Sequence, residues 1–148
     1  AIIERSRFLL TKKIKNGESQ KSTKMLFSQG THVNNDVPPE EMVRVVNIIK
    51  SYNQILRNKG IRFIFLPIPN KENIYYELLP GINKPIFLEQ LIEKLRNEFI
   101  EVVDIQKAFE EAREKNLLLY HLDDTHWNEN GVKLAADFIE RLLKENRK

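Results

Sequence analysis

Apolar residues recur at helical spacing in two long stretches of the chain. Between Pro38 and Gly60 they fall on one side of a helix that has prolines and carboxylates in its first turn and a glycine after its last. From Asn128 to Asn146 they again fall mostly on one side of a helix. The first of these helices is predicted to bury a stripe made of Met42, Val45, Val46, Ile49, Tyr52 and Leu56.

Residues 61–66 form an apolar run broken only by Arg62, which follows a helix and a glycine and is typical of a buried parallel strand. Residues 99–104 predict a second strand. A short helical turn is predicted over residues 70–79, and helices over 85–98 and 105–115. The predicted apolar face of the helix 85–98 consists of Phe87, Leu88, Leu91, Ile92, Leu95 and Phe99. This alternation predicts an α/β domain of three layers, with a mainly parallel central sheet flanked by helices.

The N-terminal part is less regular. Residues 1–23 carry apolar side chains with a partly helical rhythm among basic ones, and we expect a poorly packed N-terminal extension there. Met25-Leu26-Phe27 is a candidate strand between two polar loops, residues 16–22 and 30–36. No repeat or linker divides the 148 residues, so one domain is predicted for residues 1–148.

The amino-acid composition and charge exclude several classes of function. The 24 Lys and Arg against 21 Asp and Glu leave a net charge of +3 with both signs interspersed, which does not indicate a nucleic-acid partner. No apolar run approaches the roughly 20 residues that span a bilayer. The absence of Cys excludes disulfides, thiolate catalysis and Cys-ligated zinc. Since the chain starts at Ala1 rather than Met, we expect a processed or excised chain.

The densest polar cluster, residues 121–131, lies in a loop before the last helix. Asp124 and His126 are two positions apart, so both point to one face of an extended segment. Asp123, three positions before His126, is the alternative partner in a turn. Either carboxylate would accept a hydrogen bond from the imidazole, fix its tautomer and stabilise its charged form, as a general base beside a Ser requires. Asn128 is placed to cap the last helix.

Other interpretations of these residues stay open. The loop could serve only to cap the helix, or His121, Asp123, Asp124 and His126 could bind a metal ion. In a second cluster, residues 67–76, Lys71 could place a positive charge near an anionic substrate or oxyanion, and Tyr75 or Tyr76 could line a sugar-binding cleft. The alternative there is a proline-terminated strand with a solvated Lys and half-buried Tyr side chains.

Asp124-Thr125-His126-Trp127, preceded by Tyr120, resembles the Asp-x-His-Trp signature of the alginate O-acetyltransferase family of the AlgX and AlgJ type, within the SGNH-hydrolase-like superfamily. Residues 59–75 resemble the strand and Pro-x-Lys-x-x-x-Tyr stretch that precedes that signature. The helix after Pro38 and the run Met25-Leu26-Phe27 also have counterparts in the family. The resemblance covers roughly residues 24–143.

The resemblance implies a Ser-His-Asp triad in which His126 is the general base and Asp124, or alternatively Asp123, orients it. It implies that Lys71, Tyr75 and Trp127 bind substrate, and that neither a cofactor nor a metal is required. The implied partners are a polysaccharide substrate and an acetyl donor, with a membrane acyltransferase as a candidate supplier. The implied location is the periplasm or cell envelope, where family members transfer acetyl groups on exopolysaccharide hydroxyls.

The sequence departs from the family pattern at the nucleophile. It contains no Gly-Asp-Ser, and Gly17-Glu18-Ser19 lacks the preceding apolar strand that would present Ser19 on a tight turn. We therefore expect an N-terminal portion that holds the His-Asp part of the triad and is inactive alone. Two other functions remain: an acetyl-ester hydrolase of the same superfamily, and a non-catalytic carbohydrate-binding module.

Overall fold

A computed structural model describes residues 8–13, 22–27, 37–79 and 81–145 of the chain. Two strand pairs and five α-helices follow one another along these residues, and a single 3₁₀ turn, Tyr76–Leu78, continues the second helix. In chain order the elements are β1 Phe8–Lys13, β2 Ser22–Phe27, α1 Pro39–Asn58, β3 Ile64–Phe65, α2 Lys71–Tyr75, α3 Phe87–Asn97, β4 Glu101–Val102, α4 Gln106–Glu114 and α5 Glu129–Glu145.

The parallel pair β3–β4 is the centre of the described fold. Ile64 lies opposite Glu101 and Phe65 opposite Val102, and the N–H of Val103 extends the ladder to the Phe65 carbonyl at 2.9 Å. Both strands are shorter than the predicted runs 61–66 and 99–104. The first run meets Pro67, which has no N–H to donate, two residues after β3 ends.

Residues on either side of this pair alternate between two apolar clusters, as the period of a strand requires. One cluster packs α1 and α3 against one face: Met42, Val46, Ile49, Leu91, Leu95 and Ile100, with Phe63, Phe65 and Val102 at its border. The other packs α2, α4 and α5 against the opposite face: Ile74, Tyr75, Val103, Ile105, Phe109, Leu119, Tyr120 and Ala135, with Ile64 and Leu66 at its border. The predicted three-layer α/β fold is therefore confirmed.

Helix α1 begins and ends where the sequence predicts. Pro39 occupies its first turn, and Gly60 follows its last with φ +70°, a left-handed conformation that glycine adopts without strain. Its buried stripe runs through Met42, Val46, Ile49 and Asn53. Tyr52 was wrongly assigned to that stripe: it is 60% exposed, because the buried face passes through its neighbour Asn53.

In the turn from α3 to β4, the structure shows that the predicted position of Phe99 is wrong. Phe99, predicted both as an inward residue of the helix and as the start of a strand, has φ +56° and is 88% exposed. Its N–H donates to the Arg96 carbonyl, and the next N–H, of Ile100, donates to the Leu95 carbonyl. The helix therefore ends in a left-handed residue that turns its side chain into solvent.

The strand predicted at Met25-Leu26-Phe27 is confirmed as the end of β2. It pairs antiparallel with β1 in a register that sets Phe8 against Phe27, so the partly helical rhythm read over residues 8–13 was wrong. Met25 and Phe27 are buried against the α4–α5 side of the sheet. The loops predicted at 16–22 and 30–36 lie almost entirely outside the described residues, as does Ser19. Among the described helices, none is long and apolar enough to cross a membrane.

Candidate active site

The polar loop 121–126 is closed at its base. Tyr120 and Trp127 form an antiparallel bridge, and the N–H of His121 donates to the His126 carbonyl at 3.1 Å. Just beyond, the N–H of Asn128 donates to the Leu119 carbonyl at 2.9 Å. The loop therefore leaves the buried apolar run and returns to the start of α5 within six residues, with its ends held together.

Asn128 joins this loop to α5. Its side-chain Oδ1 accepts the N–H groups of Asn130 at 3.0 Å and Gly131 at 3.2 Å, so it caps the helix as predicted. Its Nδ2 donates to the Leu118 carbonyl at 2.9 Å, which ties the cap to the other side of the loop. One asparagine thus fixes both the first turn of α5 and the chain that enters the loop.

Gly131 allows the first turn of α5 to lie close against the base of the loop. A Cβ atom at this position would stand 2.6 Å from the Leu119 carbonyl oxygen and 3.1 Å from Cβ of Trp127. The closest neighbour is main chain, which cannot rotate away as a side chain would. The requirement for glycine here comes from this close approach.

The loop brings the side chains of Asp124 and His126 together. Nδ1 of His126 lies 2.6 Å from Oδ1 of Asp124, and the backbone N–H of His126 donates to the same oxygen at 3.1 Å. Because a carboxylate can only accept, Nδ1 carries the proton and Nε2 is the basic nitrogen of the neutral ring. The His126 side chain is 78% exposed, so that nitrogen belongs to a ring open to solvent.

These hydrogen bonds keep Asp124 ionised. The bond from the His126 side chain, followed by the one from the His126 backbone N–H, lowers the pKa of Asp124 from 3.8 to about 2. A carboxylate that stays charged at neutral pH can stabilise the imidazolium that forms when a general base accepts a proton. Asp124, two positions before His126, is the contacting carboxylate, and the geometry does not select the alternative, Asp123.

Lys71 lies beneath the loop, and this position differs from the expectation that it touches substrate. Its side chain is buried, with only 1% of the residue exposed. Nζ donates to the carbonyls of Leu26 at 2.7 Å, His121 at 2.5 Å and Asp124 at 2.7 Å. Burial lowers the pKa of Lys71 to about 8, against nearby carboxylates that raise it, so the ammonium form predominates at neutral pH. With all three N–H groups engaged, Lys71 is not presented to a substrate.

Tyr75 and Trp127 were also expected to bind substrate. Tyr75 is 7% exposed, and its hydroxyl accepts the Leu119 N–H at 3.2 Å, so it belongs to the core beneath the site and does not line an open cleft. Trp127 is half-buried at the base of the loop, next to His126 in sequence. Of the predicted substrate-binding residues, Trp127 is the one with a partly exposed side chain.

The metal-binding interpretation of the loop finds no support in its geometry. Within the part of the chain that the structure describes, no group of three or more His, Asp and Glu side chains could hold a metal ion. The carboxylate of Asp124 is instead directed at His126. The Asp124 carboxylate therefore has a hydrogen-bond partner in the ring of His126.

Sequence reasoning missed the support beneath this pair. Tyr120 donates its hydroxyl hydrogen to the Pro69 carbonyl, and Leu26 donates its N–H to the Leu122 carbonyl at 2.7 Å. One signal was available: Lys71 is three and four positions before Ile74 and Tyr75, so a helix that buries those two side chains places Lys71 on the same face. The contacts of Leu26 involve its main chain, which residue type does not reveal.

Comparison with known proteins identifies the family and the fold of the chain. A family model described as "SGNH hydrolase-like domain, acetyltransferase AlgX" matches residues 24–148. Among solved structures, the chain is similar to the O-acetyltransferase domain of Pseudomonas putida AlgJ, with a TM-score of 0.70 and 18% sequence identity. That likeness covers 83% of this chain but 45% of the other, so this chain spans less than half the length of that one. At 18% sequence identity, this similarity shows that the two chains share a fold. No curated protein matches the chain.

The family match extends over most of the chain. It includes the segment around Lys71 as well as the loop that holds Asp124 and His126. The chain therefore belongs to the family of SGNH hydrolase-like domains of acetyltransferase AlgX.

Proposed function

We propose that this domain supplies the acid-base half of an O-acetyltransferase that acts on the hydroxyl groups of an exopolysaccharide such as alginate. The observation that carries the proposal is the 2.6 Å contact between Nδ1 of His126 and Oδ1 of Asp124 in a solvent-open loop. Membership of the AlgX acetyltransferase family and the fold shared with the AlgJ domain support the reaction class.

In the proposed reaction, Nε2 of His126 removes the proton of a serine hydroxyl as that oxygen attacks the acetyl carbonyl of the donor. The proton passes to the leaving group, and an acetyl-serine forms. A sugar hydroxyl then attacks the acetyl-serine while Nε2 accepts its proton. Collapse of the second tetrahedral intermediate returns the serine oxygen, which regains a proton, and leaves the acetyl group on the sugar. Throughout both steps Asp124 holds the ring and balances its charge.

The nucleophile is proposed to come from outside these 148 residues. The sequence contains no Gly-Asp-Ser, and the AlgJ domain with the same fold has more than half of its chain beyond the region that this chain covers. The polysaccharide substrate and an acetyl donor, delivered by a membrane acyltransferase partner, complete the proposal, which places the protein in the periplasm or cell envelope.

Hydrolysis of acetyl esters is the second candidate. The triad chemistry is the same, and the outcome depends on whether water or a sugar hydroxyl attacks the acetyl-serine. The observation that favours it is the 78% exposure of the His126 side chain, since water reaches this ring in the structure described. Exclusion of water by a bound polysaccharide would turn the same site toward transfer.

The test is an acetyl-transfer assay on the full-length protein, with an aryl acetate as donor and with or without an alginate oligosaccharide. We expect acetylated oligosaccharide from the wild type and a loss of about 10²–10⁴-fold in kcat for His126→Ala, the range for a general base. The matched control is Lys133→Ala, an exposed position on α5 that should keep full activity.

The products of this assay distinguish the acetyltransferase from the acetyl-ester hydrolase and from a carbohydrate-binding module. If acetate release stays the same when the alginate oligosaccharide is present, and no acetylated oligosaccharide forms, the protein is a hydrolase. Glycan binding that survives His126→Ala, without any acetyl-enzyme detectable by mass spectrometry, indicates a binding module and contradicts the proposal.

A further inference from the structure

A buried lysine holds the loop of the proposed catalytic pair from within. Nζ of Lys71 has three N–H donors and meets three backbone carbonyls, those of Leu26, His121 and Asp124, at 2.5–2.7 Å. A charged group with 1% exposure is costly to bury unless its donors are satisfied, and here each donor has an acceptor. Two of the acceptors lie in the loop 121–126, and the third lies on β2.

The contact with Asp124 bears directly on the site. Its carbonyl accepts from Lys71, while the carboxylate of the same residue accepts from His126. Fixing the carbonyl restricts the backbone from which the carboxylate projects. The N–H of Leu26 also donates to the Leu122 carbonyl at 2.7 Å, so β2 holds the loop at a second point.

Lys71 is itself held firmly. It is the first residue of α2, where the Asn70 N–H donates to Oδ1 of Asn73 at 3.2 Å and closes a capping box. The carbonyl of Pro69, two residues before Lys71, accepts from the buried Tyr120 hydroxyl. The ammonium also lies 5.4 Å from the centre of the Phe27 ring. Because Lys71 is fixed by these contacts, its hydrogen bonds can hold the loop 121–126 in one geometry.

We propose that Lys71 is a positioning residue of the acetyl-transfer site: by donating to the carbonyls of Asp124 and His121 while bound to β2 through Leu26, it sets the loop geometry in which Asp124 meets His126. This proposal rests on the proposed function and assigns Lys71 a role without substrate contact. Catalysis depends on such positioning steeply, since a misplacement of about 1 Å can lower the rate about 10²-fold.

The test compares Lys71→Met with Lys133→Met in the full-length protein. Methionine keeps the unbranched apolar stem of Lys71 as far as Cε and lacks the ammonium with its donors, whereas Lys133 is exposed on α5 and pairs with Asp137. For Lys71→Met we expect kcat to fall about 10²-fold with KM for the acetyl donor nearly unchanged. Lys133→Met should match the wild type in both constants. Equal kcat for the two variants would overturn the proposal.

A spectroscopic measurement separates positioning from general damage. Nδ1 of His126, protonated and hydrogen-bonded to Asp124, should give the ¹⁵N signal of a protonated ring nitrogen in the wild type, detected through the carbon-bound protons of the ring. We expect Lys71→Met to lose this signal while the dispersed methyl signals of Leu119 and Ile105 in the core persist. Restoration of the signal and of kcat in Lys71→Ala by an added alkylammonium ion, but not by the alcohol of the same length, would support the role of the charged donor. An unchanged His126 signal in folded Lys71→Met would contradict it.

The wild type provides a test that does not depend on the folding of any variant. Scalar couplings across hydrogen bonds should connect Nζ of Lys71 with the carbonyl carbons of His121 and Asp124, and their absence would overturn the proposal. The two proposals can fail separately. Full activity of His126→Ala would defeat the proposed function, while these couplings and the His126 signal would still decide whether Lys71 orders the loop.

Discussion

The ammonium of Lys71 donates to the backbone carbonyl of Asp124, whose carboxylate accepts the Nδ1–H of His126. Asp124 therefore accepts a hydrogen bond from Lys71 on its main-chain carbonyl, and hydrogen bonds from the ring and the backbone N–H of His126 on its carboxylate. The position and the charge of Asp124 can therefore be perturbed separately. Lys71 variants change the position of Asp124, and Asp124 variants change its charge.

Replacing Asp124 by Asn removes the charge and keeps the shape. The amide oxygen can still accept from the imidazole, but the imidazolium formed during catalysis loses its ionic partner. We expect kcat of the full-length protein to fall about 10²–10⁴-fold, with acetyl-donor binding little affected. The matched control is Asp137→Asn on the exposed side of α5, which should change kcat by less than about twofold since such surface substitutions are close to neutral. Equal activity of Asp124→Asn and wild type would exclude the assigned role.

The pKa of Asp124 provides a prediction that needs no substrate. Because this pKa is lowered to about 2, the unfolded chain binds the proton more tightly than the folded one. The contribution of ionised Asp124 to the stability of the fold is therefore fully present above pH 3.8, the ordinary pKa of the group, and is lost as pH falls through about 2. Replacing His126 by Ala removes the largest cause, so the pKa should rise toward 3.8. A titration followed by the ¹³C shift of the carboxyl group measures it, and an unchanged midpoint would refute the side-chain bond.

Tyr120→Phe should destabilise the domain through an unpaired acceptor. The Tyr120 hydroxyl donates to the Pro69 carbonyl, and burial raises the pKa of this tyrosine so that it remains a donor. Removing the donor leaves a buried carbonyl without that partner, which costs about 1–3 kcal/mol. Urea denaturation measures the loss. Tyr52→Phe, at a side chain that is 60% exposed, is the control and should stay within about 0.5 kcal/mol of wild type.

Gly131→Ala sets two effects against each other. Alanine favours a helix over glycine by about 1 kcal/mol, whereas overpacking costs about 1–3 kcal/mol. The new Cβ would meet the main-chain oxygen of Leu119 at 2.6 Å, so we expect the clash to prevail and the melting temperature to fall. Lys133→Ala, in the same helix but exposed, should leave it nearly unchanged. A higher melting temperature for Gly131→Ala would show that the loop base can move aside.

Local signals in the sequence predicted much of this structure. Prolines and carboxylates marked the start of α1 and a glycine its end, and Asn128 marked the start of α5. The spacing of two made Asp124 one of two candidate partners of His126, with Asp123 as the alternative, and the structure has Asp124 in contact. Each of these features depends on neighbours within a few positions.

Features set by distant partners could not be predicted in the same way. The extent of β3 depends on hydrogen bonds to β4, which lies beyond α3. Phe99 was misassigned because its apolar character suggested burial, although its position at a left-handed turn decides its exposure. Lys71 was read as a solvated or substrate-binding charge because its acceptors lie 45–53 residues away along the chain.

That separation has a consequence for the order of folding. The three carbonyls around Lys71 come from β2 and from a loop near the C-terminal helix, so this cluster cannot assemble until both have packed beside α2. Contacts between residues distant in sequence form late, because closing the intervening chain costs entropy before the contact compensates for it. The His126–Asp124 pair should therefore acquire its geometry in the final stage of folding, and a nascent chain whose residues 121–126 are still inside the ribosome would hold no ordered pair.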